Sequence, residues 1–187
     1  MTAILPIGGF RQRTRTQMGL KTLWREDLRP FAGPKAFVHP PVRWCHDVKD
    51  VLGTVRDVGA KRLIVVAYSW GVGYGARRVV REALSQGLKV DLVCSCDGVW
   101  KAPGSRWLTG WLSVFSMTRL PSIPFPKAVG RVVGVKQEMS RPSGHSIRHG
   151  DTWIFLKKLD ATHNEIDEHP TWRSLVVAAI TATLQKA

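Results

Sequence analysis

Residues 62–73 read Arg-Leu-Ile-Val-Val-Ala-Tyr-Ser-Trp-Gly-Val-Gly. After the arginine comes a continuous apolar run rich in β-branched side chains, which is typical of a parallel strand buried on both faces. Beyond the glycines, Val79, Val80 and Ala83 recur at helical spacing until Gly87 ends the pattern. The segment therefore predicts a buried strand that turns sharply into a helix, which is the repeating unit of an α/β domain.

The alternation of strand and helix continues on both sides of this segment. Further strands are predicted at 3–7, 36–39, 90–96, 131–135 and 152–156, and helices at 16–28, 48–58, 73–86 and 172–184. Such an order favours parallel strands joined by right-handed helical crossovers, with helices on both faces of the sheet. We expect a single α/β domain over residues 1–187, with a three-layer architecture and a mostly parallel sheet of about six strands.

The charge of the chain is unusually positive. Its 187 residues include 28 Lys and Arg against 14 Asp and Glu, which gives a formal net charge of +14. The basic residues are scattered along the chain, and neither a zinc-finger spacing nor an aromatic RNA-binding motif accompanies them. We therefore expect a solvated basic face that favours acidic substrates or lipid headgroups, and not nucleic acid as the main partner.

The three cysteines, Cys45, Cys94 and Cys96, predict reduced thiols. Cys94 and Cys96 lie two apart in a predicted strand and so share one face, a geometry that disfavours a disulfide. The amino terminus lacks the charged region and the long apolar run of a signal peptide, and no apolar run reaches the ~18 residues of a membrane span. These features predict a cytoplasmic protein without a transmembrane segment.

Ser69 occupies the predicted turn between the buried strand and the helix. A serine hydroxyl is a weak nucleophile, so it must be presented at a sharp turn that a base can reach. Such a turn needs small residues two before and two after the serine, and these positions hold Ala67 and Gly71. The pattern predicts a nucleophile; the other interpretation is a serine that only caps the helix.

A base and an acid are found at matching places further along the chain. His163 follows the last predicted strand in the sequence Thr-His-Asn-Glu-Ile-Asp, and a neutral imidazole can take and return the serine proton. Asp97 ends the strand after Ser69 and can orient that imidazole, although an Asp-Gly turn looks the same in sequence. Asp160 and Asp167 remain alternatives for the acid.

Two backbone N–H groups are needed to bind the negative oxygen that forms during acyl transfer. The N–H of Trp70, directly after the serine, is the first candidate. The second is the N–H of Gly9 or Phe10, in the turn after the first predicted strand. An ordinary Gly-Gly turn would have the same sequence.

Residues 101–127 interrupt the alternation with aromatic side chains among Gly, Ser and Pro. The aromatic residues include Trp107, Trp111 and Phe115. They predict a cap over a substrate pocket; the other interpretation is an irregular segment packed on the core. The histidine pairs 145/149 and 163/169 lack a third ligand at a diagnostic spacing, so no metal site is expected. No cofactor motif is present, and we expect none to be used.

Taken together, the Gly8-Gly9 turn, the Ser69 turn, Asp97 and the histidine loop resemble the α/β-hydrolase superfamily, particularly compact lipase, esterase and thioesterase-like members. The resemblance spans most of the chain and implies the residue order Ser, Asp, His and an α/β-hydrolase-like sandwich with an aromatic-rich insertion. Ala67 stands where the family usually has glycine. The chain also starts at the strand that carries the oxyanion turn, so this first strand is expected to lie at an exposed edge.

The resemblance implies hydrolysis of an ester or thioester through an acyl-enzyme on Ser69, with a small-molecule or lipid-like acyl ester as the substrate. The alternative is a catalytically silent scaffold that binds an acidic partner or anionic surface through its basic face. Labelling by an activated-serine probe distinguishes the two.

Overall fold

A computed structural model describes residues 1–9, 19–100, 122–140 and 143–186 of the chain. Its strands are β1 (Thr2–Gly8), β2 (Ala36–Val38), β3 (Val42–Arg43), β4 (Arg62–Tyr68), β5 (Lys89–Cys96), β6 (Ile123–Phe125), β7 (Arg131–Lys136), β8 (Ile147–His149), β9 (Thr152–Ile154) and β10 (Lys157–Lys158). A central sheet has the order β10-β7-β5-β4-β1-β2, with β3 also paired to β1. All of its pairings are parallel.

Helices connect these strands. They are α1 (Gly19–Thr22), which continues into π-helical turns at Leu23–Leu28 and a 3₁₀ turn at Arg29–Phe31, α2 (Val48–Asp57), a π-helical stretch Gly71–Ala76 that leads into α3 (Arg77–Ser85), and α4 (Pro170–Gln185). The side chain of Asp47 accepts the Lys49 N–H at 2.8 Å and so caps the start of α2. Gly59 and Gly87, which follow α2 and α3, have φ of 73° and 77°, a conformation that glycine adopts without strain.

Two apolar cores lie on opposite sides of the sheet. In β4, Leu63, Val65 and Ala67 belong to the core that includes the apolar faces of α2 and α3. The alternate residues Ile64 and Val66 belong to the core that includes α4 and the Leu23–Leu28 turns. Because successive side chains of a strand point to opposite faces, a strand that is apolar throughout needs both layers. The predicted α/β class, with a mostly parallel sheet, is confirmed.

The prediction that the first strand lies at an exposed edge is wrong. β1 lies between β4 and β2, and all seven of its residues are buried. Its outer edge is covered in two parts, because Thr2–Ile4 pair with β2 and Ile7–Gly8 pair with β3. Pro40 and Pro41 interrupt this covering strand, since proline has no N–H to donate to a sheet.

The strand predicted at 152–156 belongs to a different sheet. Only its first three residues form a strand, β9, which pairs with β8 in a small three-stranded sheet of order β6-β8-β9. The main sheet instead ends at β10, which is two lysines long. A short, charged edge strand has no apolar pattern by which the sequence could reveal it.

The predicted cap segment 101–127 is described only from residue 122 onward. There, Ile123 and Phe125 are buried in the core that contains α3. Trp107, Trp111 and Phe115 lie outside the described residues, and their role as a cap stays a prediction.

The start of α4 is fixed directly behind the loop that carries His163. The side chain of His169 accepts the Thr171 N–H at 3.2 Å, and Pro170 occupies the first helical position. Arg173 then forms a bidentate pair with Asp27, with N···O distances of 2.6 and 3.0 Å. Within the described parts of the chain, no helix has both the length and the apolar character to cross a membrane.

Candidate active site

Ser69 sits in a strained turn between β4 and the π-helical stretch. Its φ is 54°, a left-handed conformation that non-glycine residues rarely adopt. The neighbouring strand end holds it there: the Ser69 N–H donates to the Cys96 carbonyl at 2.9 Å, and the Ser69 carbonyl accepts from the N–H groups of Val72 and Val99 at 3.0 Å each. The turn is therefore fixed by β5 and by the loop that follows it.

The small residues around Ser69 differ in how much space they have. A Cβ on Gly71 would lie 2.4 Å from the Ile7 carbonyl oxygen, and one on Gly73 would lie 2.1 Å from the Val99 carbonyl oxygen. Both positions therefore require glycine. Ala67, by contrast, is fully buried in the core with its methyl group in place. This explains how the motif can have alanine two residues before the serine but not two residues after it.

Ser69, His163 and Asp97 form one hydrogen-bonded chain. Ser69 Oγ lies 2.9 Å from His163 Nε2, and His163 Nδ1 lies 2.5 Å from Asp97 Oδ2. The carboxylate can only accept, so Nδ1 carries the proton and Nε2 is left to accept from the serine hydroxyl. The Asp97 side chain is fully buried, whereas that of His163 is 13% exposed. Solvent therefore reaches the imidazole but not the carboxylate behind it.

Asp97 is held at the carboxyl end of β5 by several contacts. It has a φ of 43°, and its N–H donates to the Val135 carbonyl at 2.9 Å. Its two carboxylate oxygens accept from the backbone N–H and the side-chain amide of Gln137, each at 3.1 Å. A Cβ on Gly144 would lie 2.2 Å from Oδ1, so the backbone at Gly144 covers the acid closely.

The loop carrying His163 is held in place by hydrogen bonds that involve Tyr68, Ser140 and Glu165. The Tyr68 hydroxyl donates to the His163 carbonyl oxygen, and the two rings stack with centroids 5.3 Å apart. Ser140 Oγ accepts the His163 N–H at 2.8 Å. Glu165 accepts from both the N–H and the hydroxyl of Thr162, at 3.1 and 2.6 Å. Burial, assisted by the nearby Asp167, raises the pKa of Tyr68 far above its ordinary value, so its hydroxyl stays a donor.

The three carboxylates considered for the acid lie in different surroundings. Asp97 is the one bonded to His163 Nδ1. Asp160 is exposed to solvent. Asp167 is buried close enough to Tyr68 and Cys96 for its charge to raise both of their pKa values. The geometry therefore favours Asp97.

The residue that follows β1, Gly9, lies directly against Ser69. A Cβ on Gly9 would be 2.9 Å from Ser69 Cβ and 3.1 Å from the Tyr68 ring. Trp70 follows Ser69 at the start of the π-helical stretch. Both candidate oxyanion donors therefore flank the serine, and their role stays a prediction. Phe10 lies outside the described residues.

No match was found for this chain among protein-family models, curated proteins or solved structures. Its chemistry must therefore be inferred from the geometry of the site. Among the described residues, no group of three or more His, Cys, Asp or Glu side chains is arranged to hold a metal ion. His149 Nε2 instead bonds to the Val129 carbonyl at 2.7 Å.

An aromatic cluster beside Ser69 was not predicted from the sequence. The rings of Trp70 and Tyr74 stack at 5.2 Å, and Trp44 meets both edge-on, at 5.3 and 5.7 Å. All three side chains are partly exposed. Trp44 reaches this position because β3 pairs Arg43 with Gly8, next to the site. The aromatic cluster supplies a partly exposed apolar surface beside Ser69.

Gln137 and Ser140 were also missed. Gln137 directly follows β7, which ends at Lys136, one residue beyond the strand predicted at 131–135. A polar residue at the carboxyl end of a parallel strand was therefore a usable signal, because these ends meet at one edge of the sheet. Ser140 lies in the loop after it and has no comparable signal.

Proposed function

We propose that the protein is a serine hydrolase that cleaves a carboxylic ester or thioester through an acyl-enzyme on Ser69. The observation that carries the proposal is the hydrogen-bonded chain from Ser69 Oγ through the His163 ring to Asp97. A serine that only caps a helix needs neither an imidazole on its hydroxyl nor a buried carboxylate behind that imidazole.

The reaction begins with Ser69 Oγ attacking the carbonyl carbon while His163 Nε2 takes the hydroxyl proton. Asp97 keeps its negative charge and stabilises the imidazolium that forms. The negative oxygen of the tetrahedral intermediate is bound by the N–H of Trp70 and by that of Gly9 or Phe10. His163 then gives its proton to the leaving alcohol or thiol as the bond to the carbonyl carbon breaks.

Water completes the cycle. It gives a proton to His163 Nε2 and attacks the acyl carbon, and the ester bond to Ser69 Oγ breaks with return of that proton to the serine. The products are a carboxylic acid and the free enzyme. The aromatic cluster of Trp44, Trp70 and Tyr74 supports an apolar substrate, since ligand sites are lined mainly by such side chains.

The experiment is labelling with a fluorophosphonate, followed by intact-protein mass spectrometry. We expect one adduct on the wild-type protein and none on Ser69→Ala, with Ser85→Ala as the control because Ser85 is an exposed serine at the end of α3. Turnover of p-nitrophenyl esters and acyl thioesters of increasing chain length should fall by about 10⁴-fold or more in Ser69→Ala. Folded wild-type protein that is neither labelled nor active would instead support a catalytically silent scaffold.

A further inference from the structure

Two side chains outside the Ser69–His163–Asp97 chain connect its acid to its base. Gln137, which is fully buried, donates its backbone N–H to Asp97 Oδ1 and its Nε2–H to Oδ2, each at 3.1 Å. Its amide also makes three contacts with Ser140: Oε1 accepts from the Ser140 N–H at 2.8 Å and from the Ser140 hydroxyl at 3.4 Å, and Nε2 donates to the Ser140 carbonyl at 3.1 Å. Ser140 Oγ in turn accepts the His163 N–H at 2.8 Å. We call these contacts the Gln137–Ser140 bridge.

The orientation of the Gln137 amide follows from its partners. The Ser140 N–H can only donate, so the amide atom that faces it must be the oxygen. The amide nitrogen therefore faces Asp97 and uses both of its hydrogens, one on Asp97 Oδ2 and one on the Ser140 carbonyl. A buried amide whose hydrogen-bonding groups are all used has one stable orientation.

The bridge also restricts which group can occupy position 97. Both carboxylate oxygens of Asp97 face N–H groups, which cannot accept a hydrogen bond. An asparagine there would point its own NH₂ at another N–H in either orientation of the amide. A glutamate at position 137 would likewise point an oxygen at a carboxylate. Positions 97 and 137 are therefore matched as an acceptor and a donor.

We propose that Gln137 and Ser140 are positioning residues: Gln137 keeps Asp97 as an acceptor aimed at His163 Nδ1, and Ser140 fixes the backbone of His163 relative to that acceptor. This inference rests on the proposed hydrolase function. Neither residue touches the reacting atoms, so their effect is exerted on kcat through the orientation of the imidazole.

The first test replaces Gln137 with groups of similar size. In Gln137→Glu and Gln137→Met, we expect kcat for the best p-nitrophenyl ester to fall by about 10- to 100-fold with KM nearly unchanged, which corresponds to one lost hydrogen bond to a charged group. Gln185→Glu makes the same isosteric change at an exposed position in the last turn of α4 and should keep wild-type kcat.

The second test uses Ser140, where a conservative variant can restore the lost group. Ser140→Ala removes the acceptor for the His163 N–H and should lower kcat by about 10-fold, whereas Ser140→Thr keeps the hydroxyl and should recover most of it. The two Ser140 variants therefore test the positioning role even when a Gln137 variant does not fold.

A spectroscopic signal separates failure of the bridge from failure of the proposed function. The His163 Nδ1 proton, shared with Asp97, should give a downfield proton NMR resonance in wild-type protein that shifts or disappears in Gln137→Glu and weakens in Ser140→Ala. Wild-type kcat and an unchanged resonance in both variants would overturn the inference. An inactive, unlabelled wild-type protein would overturn the hydrolase proposal, and the response of the resonance would still decide whether the bridge positions His163.

Discussion

The structure places two buried aspartates at opposite ends of β5, and their partners differ in kind. Asp91, near the start of the strand, contacts two fixed cations: Arg62 Nε at 2.5 Å and Lys89 Nζ at 3.4 Å. Asp97, just past its end, accepts from an uncharged amide and from an imidazole. A guanidinium neutralises its partner permanently, whereas an imidazole gains charge only when it takes a proton. Asp91 can therefore stabilise the fold, while Asp97 can assist a proton transfer.

The position of Asp91 has a local cause. In the pairing of β4 with β5, Leu63 faces Val90 and the next residue, Ile64, faces Leu92, so Asp91 is the extra residue of a bulge. A bulge redirects the side chain of the extra residue. Asp91 consequently reaches Arg62, at the amino-terminal end of β4, instead of pointing into an apolar core, where an unpaired charge would be costly.

The largest expected effect tests the catalytic half of this comparison. Asp97→Asn should lower kcat by about 10⁴-fold, because the imidazole would lose the acceptor that sets its tautomer. The exposed Asp160 provides the matched control, and Asp160→Asn should leave kcat unchanged. Steady-state kinetics on the best p-nitrophenyl ester measures both. Loss of activity in Asp160→Asn with retention in Asp97→Asn would refute the assignment of the acid.

The structural half of the comparison predicts the opposite behaviour for Asp91. Asp91→Asn should leave kcat within about twofold but lower the free energy of unfolding by about 1–3 kcal/mol, since Arg62 loses a charged partner and is itself partly buried. Urea denaturation monitored by circular dichroism measures the change. A large loss of kcat in Asp91→Asn with unchanged stability would show that the structural and catalytic roles are not separated between the two ends of β5.

A smaller effect concerns Cys94, which lies on β5 between the two aspartates. Burial raises the pKa of its thiol to about 12, against about 8.5 in an unfolded chain. Between these values the unfolded chain releases the proton and the folded protein keeps it, so the stability present below about pH 8.5 is lost as the pH rises. The slope is about 1.4 kcal/mol per pH unit for this thiol.

Cys94→Ala should therefore flatten the decline of unfolding free energy between about pH 8.5 and 10.5, whatever it does to stability at neutral pH. Urea titrations of both proteins across this range give the difference directly. If the unfolding free energies of the two proteins decline in parallel, the Cys94 thiol does not resist ionisation in the folded protein. The centre of β5 would then tolerate a charge, and the contrast with the paired carboxylates at its ends would be weaker.

Much of the fold and the three members of the hydrogen-bonded chain were accessible from the sequence. The buried strand predicted from the apolar run that follows Arg62 matches β4, and the helix predicted at 48–58 matches α2 to within a residue. Ser69 is recognisable by its turn between small residues, and Asp97 and His163 by their places after predicted strands, since the carboxyl ends of parallel strands meet at one edge. The structure brings these three side chains together.

The sequence by itself determined where the chain becomes strand or helix and which polar residues end those strands, because both depend on neighbours along the chain. Only the tertiary structure decided that β1 is internal, that Gln137 and Ser140 join Asp97 to His163, and that Trp44 lies beside Trp70. These contacts join residues far apart in the chain, and they depend on how the packed layers place each loop. The local periodicity of the sequence carries no information about that placement.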